Sequence, residues 1–336
     1  MNSKLDFKRM TRRQWLATGL AGAAALSGAG LLSTFLYHGR KAPVAILRAD
    51  DYSRPLERLL CEGLQELGFN AAAVKGKRIL LKPNLVEVDR SAPQVNTHPA
   101  LVRATVEAFR SLGAASVIVG EGSGHSLDSL YVFERSGLRE ALAGSGARFI
   151  DLNYQDPVIV ANEWRYSSLR TLAFPEIIKQ VDWVVSMPKM KTHHWAGVTL
   201  SMKNLFGMMP GSYYGWPKNV LHHAGLSECI ADIALTLRPQ LAIVDGIIGM
   251  EGDGPIMGDP VKAGVIVMGT ELPAVDATCA RLMAVNPDRV PHLAMAKKAG
   301  FTIDAWGIDQ VGESIRSARR EFRLIPSIPA QRDLRR

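Results

Sequence analysis

The feature that most restricts the fold is an alternation between two hydrophobic periods. Short runs rich in Val and Ile read as strands: PVAILRA (43–49), RILLKPN (78–84), ASVIVGEG (115–122), VDWVVSMP (181–188), LAIVDG (241–246) and AGVIVMG (263–269). Between them lie stretches whose apolar residues recur three and four apart. These are PLERLLCEGLQELG (55–68), closed by Gly68; HPALVRATVEAFRSLG (98–113), with Thr97 as the expected N-cap and Gly113 just past the end; LSECIADIALTLRP (226–239); and PAVDATCARLMAV (273–285). Apolar strands joined by amphipathic helices predict an α/β fold, a mostly parallel sheet with helices on both faces. Its extent is residues 41–310, either as one body or as two lobes, 41–180 and 181–310, around a cleft.

The chain has 336 residues, 47% of them hydrophobic, enough to bury a large core. A formal charge of +8 would suggest an acidic partner if it lay on one face. It does not. Residues 1–13 hold five basic residues against Asp6, and residues 316–336 hold seven arginines against Glu321 and Asp333. What remains is close to neutral and carries no stripe of interleaved basic and aromatic residues, so no nucleic acid is expected as a partner. Residues 311–336 read as a basic C-terminal tail.

Arg12 and Arg13 stand directly before an uncharged, Gly/Ala-rich run, residues 14–37. Twin arginines in that position resemble a twin-arginine signal, addressed to an export machinery that moves folded proteins. The run is also long enough for membrane attachment as an anchor, which needs ~20 apolar residues. Residues 1–40 are therefore read as signal or N-terminal anchor, with the body exported across the cytoplasmic membrane. Cys61, Cys229 and Cys279 lie far apart in apolar helical patterns and form no CxxC pair. No iron–sulfur cluster or thiolate zinc site is expected, and buried thiols fit better than a disulfide framework.

Ligands of parallel sheets bind beyond the carboxyl ends of the strands. Lys82 and Asn84 follow one strand, Glu121 and His125 another, and Lys189, Lys191, Thr192 and His193 follow VDWVVSM. If the chain stays extended there, Lys189, Lys191 and His193 share one side, with Met190, Thr192 and His194 on the other. A short helix then adds Lys203 and Asn204. Lysines so gathered bind a carboxylate or phosphate, or supply a base or Schiff-base amine when burial lowers their pKa. The predicted catalytic residues are His193, Lys191, Glu121 and Lys203; Lys82, Asn84, Lys189, Thr192, Asn204 and His125 are predicted to bind a small anion. GEGSGH (120–125) is not a dinucleotide fingerprint, since His125 holds the sixth place and no Walker lysine follows. DGIIGMEGDGPIMGD (245–259) lacks EF-hand spacing; it leaves Asp245 and Glu251 as candidate ligands of a divalent metal, against a turn of solvated acids. The stretch from Lys189 to His223 reads as a long functional loop.

KPN (82–84), NTHP (96–99), GEG (120–122), PKMKTH (188–193), KNLFG (203–207) and EGDGP (251–255) together resemble the uncharacterised prokaryotic family catalogued as domain of unknown function 362. The resemblance runs from about residue 44 to 300, and PKMKTH followed by KNLFG is its most specific part. Members often carry a ferredoxin-like module with four-cysteine motifs, which this chain lacks; direct electron transfer is therefore not implied. The leading expectation is an exported enzyme acting on a small anionic substrate. Two alternatives stay open. One is a distant analogue of the nickel-pincer lactate racemases, two-lobed α/β proteins with lysine and histidine around a covalently held cofactor. The other is a non-catalytic exported protein that binds a ligand or handles a cofactor.

Overall fold

The structure, a computed structural model, describes residues 41–124 and 127–336. The segment read as signal or anchor (1–40) and His125 lie outside the described residues. The strands are β1 (Ala42–Arg48), β2 (Arg78–Pro83), β3 (Ser116–Glu121), β4 (Arg148–Asp151), β5 (Pro157–Ala161), β6 (Thr171–Pro175), β7 (Trp183–Met187), β8 (Lys189–His193), β9 (Gly197–Thr199), β10 (Leu241–Glu251), β11 (Asp259–Val261), β12 (Val265–Gly269) and β13 (Ile308–Gly312). Eleven of them form one sheet in the order β13-β1-β12-β10-β7-β2-β3-β4, with β8 and β11 added to β10 and β9 to β8. β5 and β6 form a separate antiparallel pair. Most of the central pairings are parallel, as the α/β reading requires, but β12 runs against both β1 and β10. Only the short excursion through β11 separates β10 from β12, too little for a crossover helix, so β12 has to return antiparallel.

Successive residues of each central strand enter opposite apolar layers. Ile79 and Leu81 join one cluster and Leu80 the other; Val117 and Val119 oppose Ile118 in the same way. The helices Leu56–Glu66 and Pro99–Ser111 cover the first layer through Leu60, Leu64, Val102 and Phe109. Leu226–Leu237 and Leu272–Leu282 cover the second through Ile230, Ile233 and Val275. The cap of Pro99–Ser111 differs from expectation: His98, not Thr97, caps it, with its Nδ1 accepting the Ala100 N–H at 3.2 Å. The Thr97 hydroxyl instead accepts the Asn84 N–H at 2.8 Å and donates to the Met187 carbonyl at 2.6 Å. It thereby joins the ends of β2 and β7.

Residues Ala42–Arg336 form one compact unit. A boundary at residue 180 would cut a single sheet, because β10, β12 and β13 of the second half pair with β1 or β7 and, through β7, reach β2. Nor is 311–336 a free tail: Ala318 and Phe322 are fully buried, and Phe322 shares a core cluster with Met190 and Val198. Its arginines find local partners. Arg323 pairs with Asp259 and approaches Glu251, so part of the terminal positive charge neutralises the acidic 251–259 loop. No helix among the described residues is long and apolar enough to cross a membrane. Phe322→Ala should cost roughly 3–5 kcal/mol, seen as a lower urea midpoint at constant slope. An unmoved midpoint would mean that this segment adds nothing to the core.

Candidate functional site

A cavity of about 690 Å³ opens beyond the carboxyl ends of β2, β3 and β8. Lys82, the penultimate residue of β2, is buried in its wall and donates to Glu121 Oε2 at 2.6 Å, Asn204 Oδ1 at 2.9 Å and the Pro83 carbonyl at 2.7 Å. All three N–H bonds are thus used. Glu121 Oε2 also accepts the Leu85 N–H at 3.0 Å, and Oε1 accepts the Gly122 N–H at 2.9 Å. Burial pulls the Lys82 pKa down while Glu121 holds it up. The pair locks β2 to β3 rather than leaving Glu121 free to move a proton. Asn204 is equally committed, its Nδ2 donating to the Lys82 carbonyl and Ser186 Oγ. Gly207 passes directly over this pair, where a Cβ would overlap Glu121 Oε1 and Lys82 Nζ. That contact explains the final glycine of KNLFG.

The expected alternation along β8 holds for Lys191 and His193, which line the cavity, but not for Lys189. Lys189 donates to Asp245 Oδ2 at 2.6 Å and to the Tyr52 hydroxyl at 3.0 Å, in a fully buried pair. In the β8–β10 pairing Lys189 stands opposite Asp245, which takes it up, and Lys191 stands opposite Met250, with an irregularity between the two. Asp245 further accepts the Tyr52 O–H and the His98 N–H, each at 2.9 Å. Thr192 turns away from the cavity and donates to the Gly252 carbonyl at 2.8 Å. Glu251 stands at the far end of β10, roughly 20 Å along the strand from Asp245, and accepts the Arg323 N–H at 2.8 Å. The candidate metal ligands are therefore not brought together, since one continuous strand separates them and each has a basic residue as partner. Among the described residues no group of three or more His, Cys, Asp or Glu is arranged to hold a metal ion.

The cavity retains unused hydrogen-bonding capacity. Lys191 is fully buried and, among the described residues, donates only to main-chain carbonyls, Val95 at 2.9 Å and Pro255 at 3.0 Å. Burial, then repulsion from Lys189, Lys203 and Lys82, pushes its pKa well below the usual range. His193 Nδ1 accepts the Trp195 and Ala196 N–H groups at 3.0 and 3.2 Å. An accepting nitrogen carries no proton, so the neutral ring holds its hydrogen on Nε2, and burial with Lys203 keeps it neutral. His193 thus presents a hydrogen-bond donor, where the sequence reading expects a group that transfers a proton. Lys203 lies over the Phe206 ring, 4.1 Å from its centroid, and donates to no protein acceptor among the described residues. Burial and Lys82 bring its pKa to about 8, against the pull of Glu121.

Sequence reasoning missed three wall residues. Lys218, held in the left-handed region at φ 68°, donates to the Gly122 and Phe206 carbonyls at 2.6 and 3.0 Å. Burial lowers its pKa to about 7, although Glu121 opposes this. Thr199 lies opposite Lys191 in the β8–β9 register, and its Oγ1 is buried without a hydrogen-bond partner. The His222 ring, also in the wall, stands edge-on to Trp195 and Phe206, 5.5 and 5.8 Å away. Asn84, which was expected at the site, also lines the cavity with Oδ1 buried and unpartnered. Lys218 follows Trp216 and Pro217 in a stretch with no period to read, and only the tertiary fold gives it a role. The presumed loop 189–223 is in fact β8, β9 and a series of short helical turns.

The family described as domain of unknown function, DUF362, matches residues 79–281. The chain belongs to this family. It is 28% identical over 270 residues to the thylakoid-associated protein sll1697 of Synechocystis sp., covering 77% of this chain and 79% of that protein. Among solved structures, the lactate racemase apoprotein of Thermoanaerobacterium thermosaccharolyticum aligns at 14% identity with a TM-score of 0.45, over 73% of this chain and 58% of that one. A Thermotoga maritima protein aligns at 12% identity with a TM-score of 0.41, over 69% of this chain and 59% of that one. This chain therefore spans less than two thirds of either solved structure. In this DUF362 protein, Gly207→Ala should break the buried Lys82–Glu121 pair at a cost of about 3–5 kcal/mol, measured as loss of thermal stability. Gly124→Ala, where a Cβ meets nothing within 4 Å, is the control expected to leave stability nearly unchanged.

Proposed function

We propose that this protein is an enzyme acting on a small carboxylate or phosphate with an apolar body, bound in the cavity beyond β2, β3 and β8. The observation that carries this reading is the Lys203 ammonium, open to the cavity and without a protein acceptor among the described residues. A cation so placed favours an anionic ligand, and the water-poor setting strengthens the attraction. His193 Nε2–H and the Thr199 hydroxyl supply further donors, while Leu85, Trp195, Phe206, Ile256 and Met257 offer apolar wall for the rest of the ligand. Lys191, held without a carboxylate partner among the described residues, is the group best suited to act as base.

Titration calorimetry with phenyllactate, benzoate and phosphate tests the reading. Lys203→Met should weaken binding roughly 10–100-fold, the loss expected for one charge-assisted hydrogen bond. Affinity should be highest below about pH 7 and fall as pH rises through about 7 and about 8, where Lys218 and Lys203 lose their protons. An affinity that rises over this range, or no binding by any of the three, would overturn it.

We propose further that the protein is exported. The support is Arg12–Arg13 before an uncharged run, together with the thylakoid association in the printed name of the Synechocystis relative. Replacing both arginines by lysine should leave the protein in the cytoplasmic fraction, and an unchanged distribution on cell fractionation would refute export by that route.

A further inference from the structure

Four lysines at this edge and its cavity, Lys82, Lys189, Lys191 and Lys218, are buried almost completely, and they are not equivalent. Lys82 meets Glu121 and Lys189 meets Asp245, each at 2.6 Å. Lys191 and Lys218 each donate to two main-chain carbonyls and to no carboxylate among the described residues; of the two, Lys191 is the one on β8, two residues from His193 and opposite Thr199. An ammonium ion has three N–H bonds, and two main-chain acceptors leave one unmet. A neutral amine has two N–H bonds and one lone pair. The Val95 and Pro255 carbonyls satisfy both of its hydrogens, and the lone pair is then directed away from these oxygens. Lysine buried without a counter-ion favours the neutral form, and the surroundings act the same way, since Lys189, Lys203 and Lys82 repel a charge here and only Glu121 favours it. The two carbonyls come from separate segments, the one leading to Thr97 and the turn after Gly254, so the amine is oriented from two sides.

The other groups on the cavity wall suit a particular reaction of such an amine. Thr199 Oγ1, opposite Lys191 in the strand register, is buried and unpartnered. His193 presents a neutral Nε2–H, and Lys203 an unpartnered ammonium. A nucleophilic nitrogen, neutral donors for a developing oxyanion, and a cation for a carboxylate are what a 2-oxo acid requires.

We propose that Lys191 forms a Schiff base with the carbonyl carbon of a 2-oxo acid whose carboxylate is held by Lys203. This rests on the anion-binding reading above and narrows it to one substrate class. The Lys191 nitrogen forms a bond to the carbonyl carbon, and the C=O π pair moves to oxygen, where His193 Nε2–H and the Thr199 hydroxyl donate to it. The nitrogen sheds a proton and the oxygen gains one, with Lys203 as the carrier. The C–O bond then breaks, water leaves with a second proton from nitrogen, and the C=N bond closes. Amine and ketone become imine and water, with no change of oxidation state and no co-reactant.

The test is reductive trapping on the full chain. The protein is incubated with pyruvate, phenylpyruvate or 2-oxoglutarate in the presence of borohydride, followed by intact mass measurement and peptide mapping. The expected result is a single adduct, one acid less one oxygen atom, on the peptide bearing Lys191, and its absence in Lys191→Met. In parallel, thermal shift is measured with lactate and phenyllactate, which carry the carboxylate but no ketone. If these stabilise the protein while no oxo acid is trapped at Lys191, the Schiff base is refuted and anion binding stands. Adducts spread over exposed lysines to the same extent in Lys191→Met also refute it. No stabilisation and no trapping would remove both readings. Should Lys191→Met fail to fold, the mapped position of the adduct in the unaltered protein decides the matter alone.

Discussion

An ammonium group taken out of water must be met by an anion or by a full set of acceptors, and the carboxyl edge of this sheet is organised around that demand. Desolvating each ion costs several kcal/mol, which only close pairing and further hydrogen bonds offset. The Lys82–Glu121 pair satisfies it by recruiting the amides of Leu85 and Gly122, Asn204 and the Pro83 carbonyl. Those partners come from β2, β3 and the helical turn after β9, so the charge pair fixes three segments at once. The Lys189–Asp245 pair does the same for β8 and β10, and through Tyr52 and His98 it draws in the segments after β1 and before Pro99–Ser111. The Tyr52 and His98 rings stack 3.7 Å apart over this pair.

With those two lysines neutralised internally, the remaining ones acquire different chemistry from the same side chain. Lys218 is held by two carbonyls, Lys191 by two others, and Lys203 by an aromatic face alone. The fewer acceptors a buried ammonium has, the more a ligand can supply. This ranking, not the number of lysines, distinguishes structural cations from those available at the cavity. It also accounts for the close backbone approach at Gly207 and Gly122, where a side chain would displace the groups that satisfy Lys82 and Glu121 or crowd the Gly207 carbonyl and Asn153.

The fold was legible because it rests on periodicity. Residues such as Ile79, Leu80 and Leu81 are apolar on both sides of a strand, and amphipathic helices must cover them. Strand direction was less legible: β12 is as apolar as the strands that pair in parallel elsewhere in the sheet, and only the length of the connection from β10 reverses it. The site was legible where local geometry sufficed, as for Lys191 and His193 two residues apart on β8. It failed for Lys189, because the pairing that sets it against Asp245 of β10 cannot be read from KMKTH. The Asp245 and Glu251 pair misled for a related reason: among glycines the segment looks like a cation-binding loop, but the pairing of β10 with β8, β11 and β12 keeps it extended. Lys218 and Thr199 became visible only once the chain had brought them to the same wall.

The charge distribution changes meaning in the same way. The arginines of residues 316–336 looked like an appended basic tail, yet Arg323 pairs with the acidic loop, and the Gln331 side chain donates to the Gly252 carbonyl at 2.9 Å. Gly252 also donates to the Arg323 carbonyl at 2.9 Å, and its own carbonyl accepts from Thr192. The terminal segment and β8 therefore grip the same turn from two sides. That turn carries Pro255, whose carbonyl receives Lys191. A residue dismissed as tail charge thus belongs to the chain of contacts that fixes the Lys191 amine. The physical requirement is the placement of a carbonyl, and the sequence meets it with an arginine and a glutamine some sixty or more residues away.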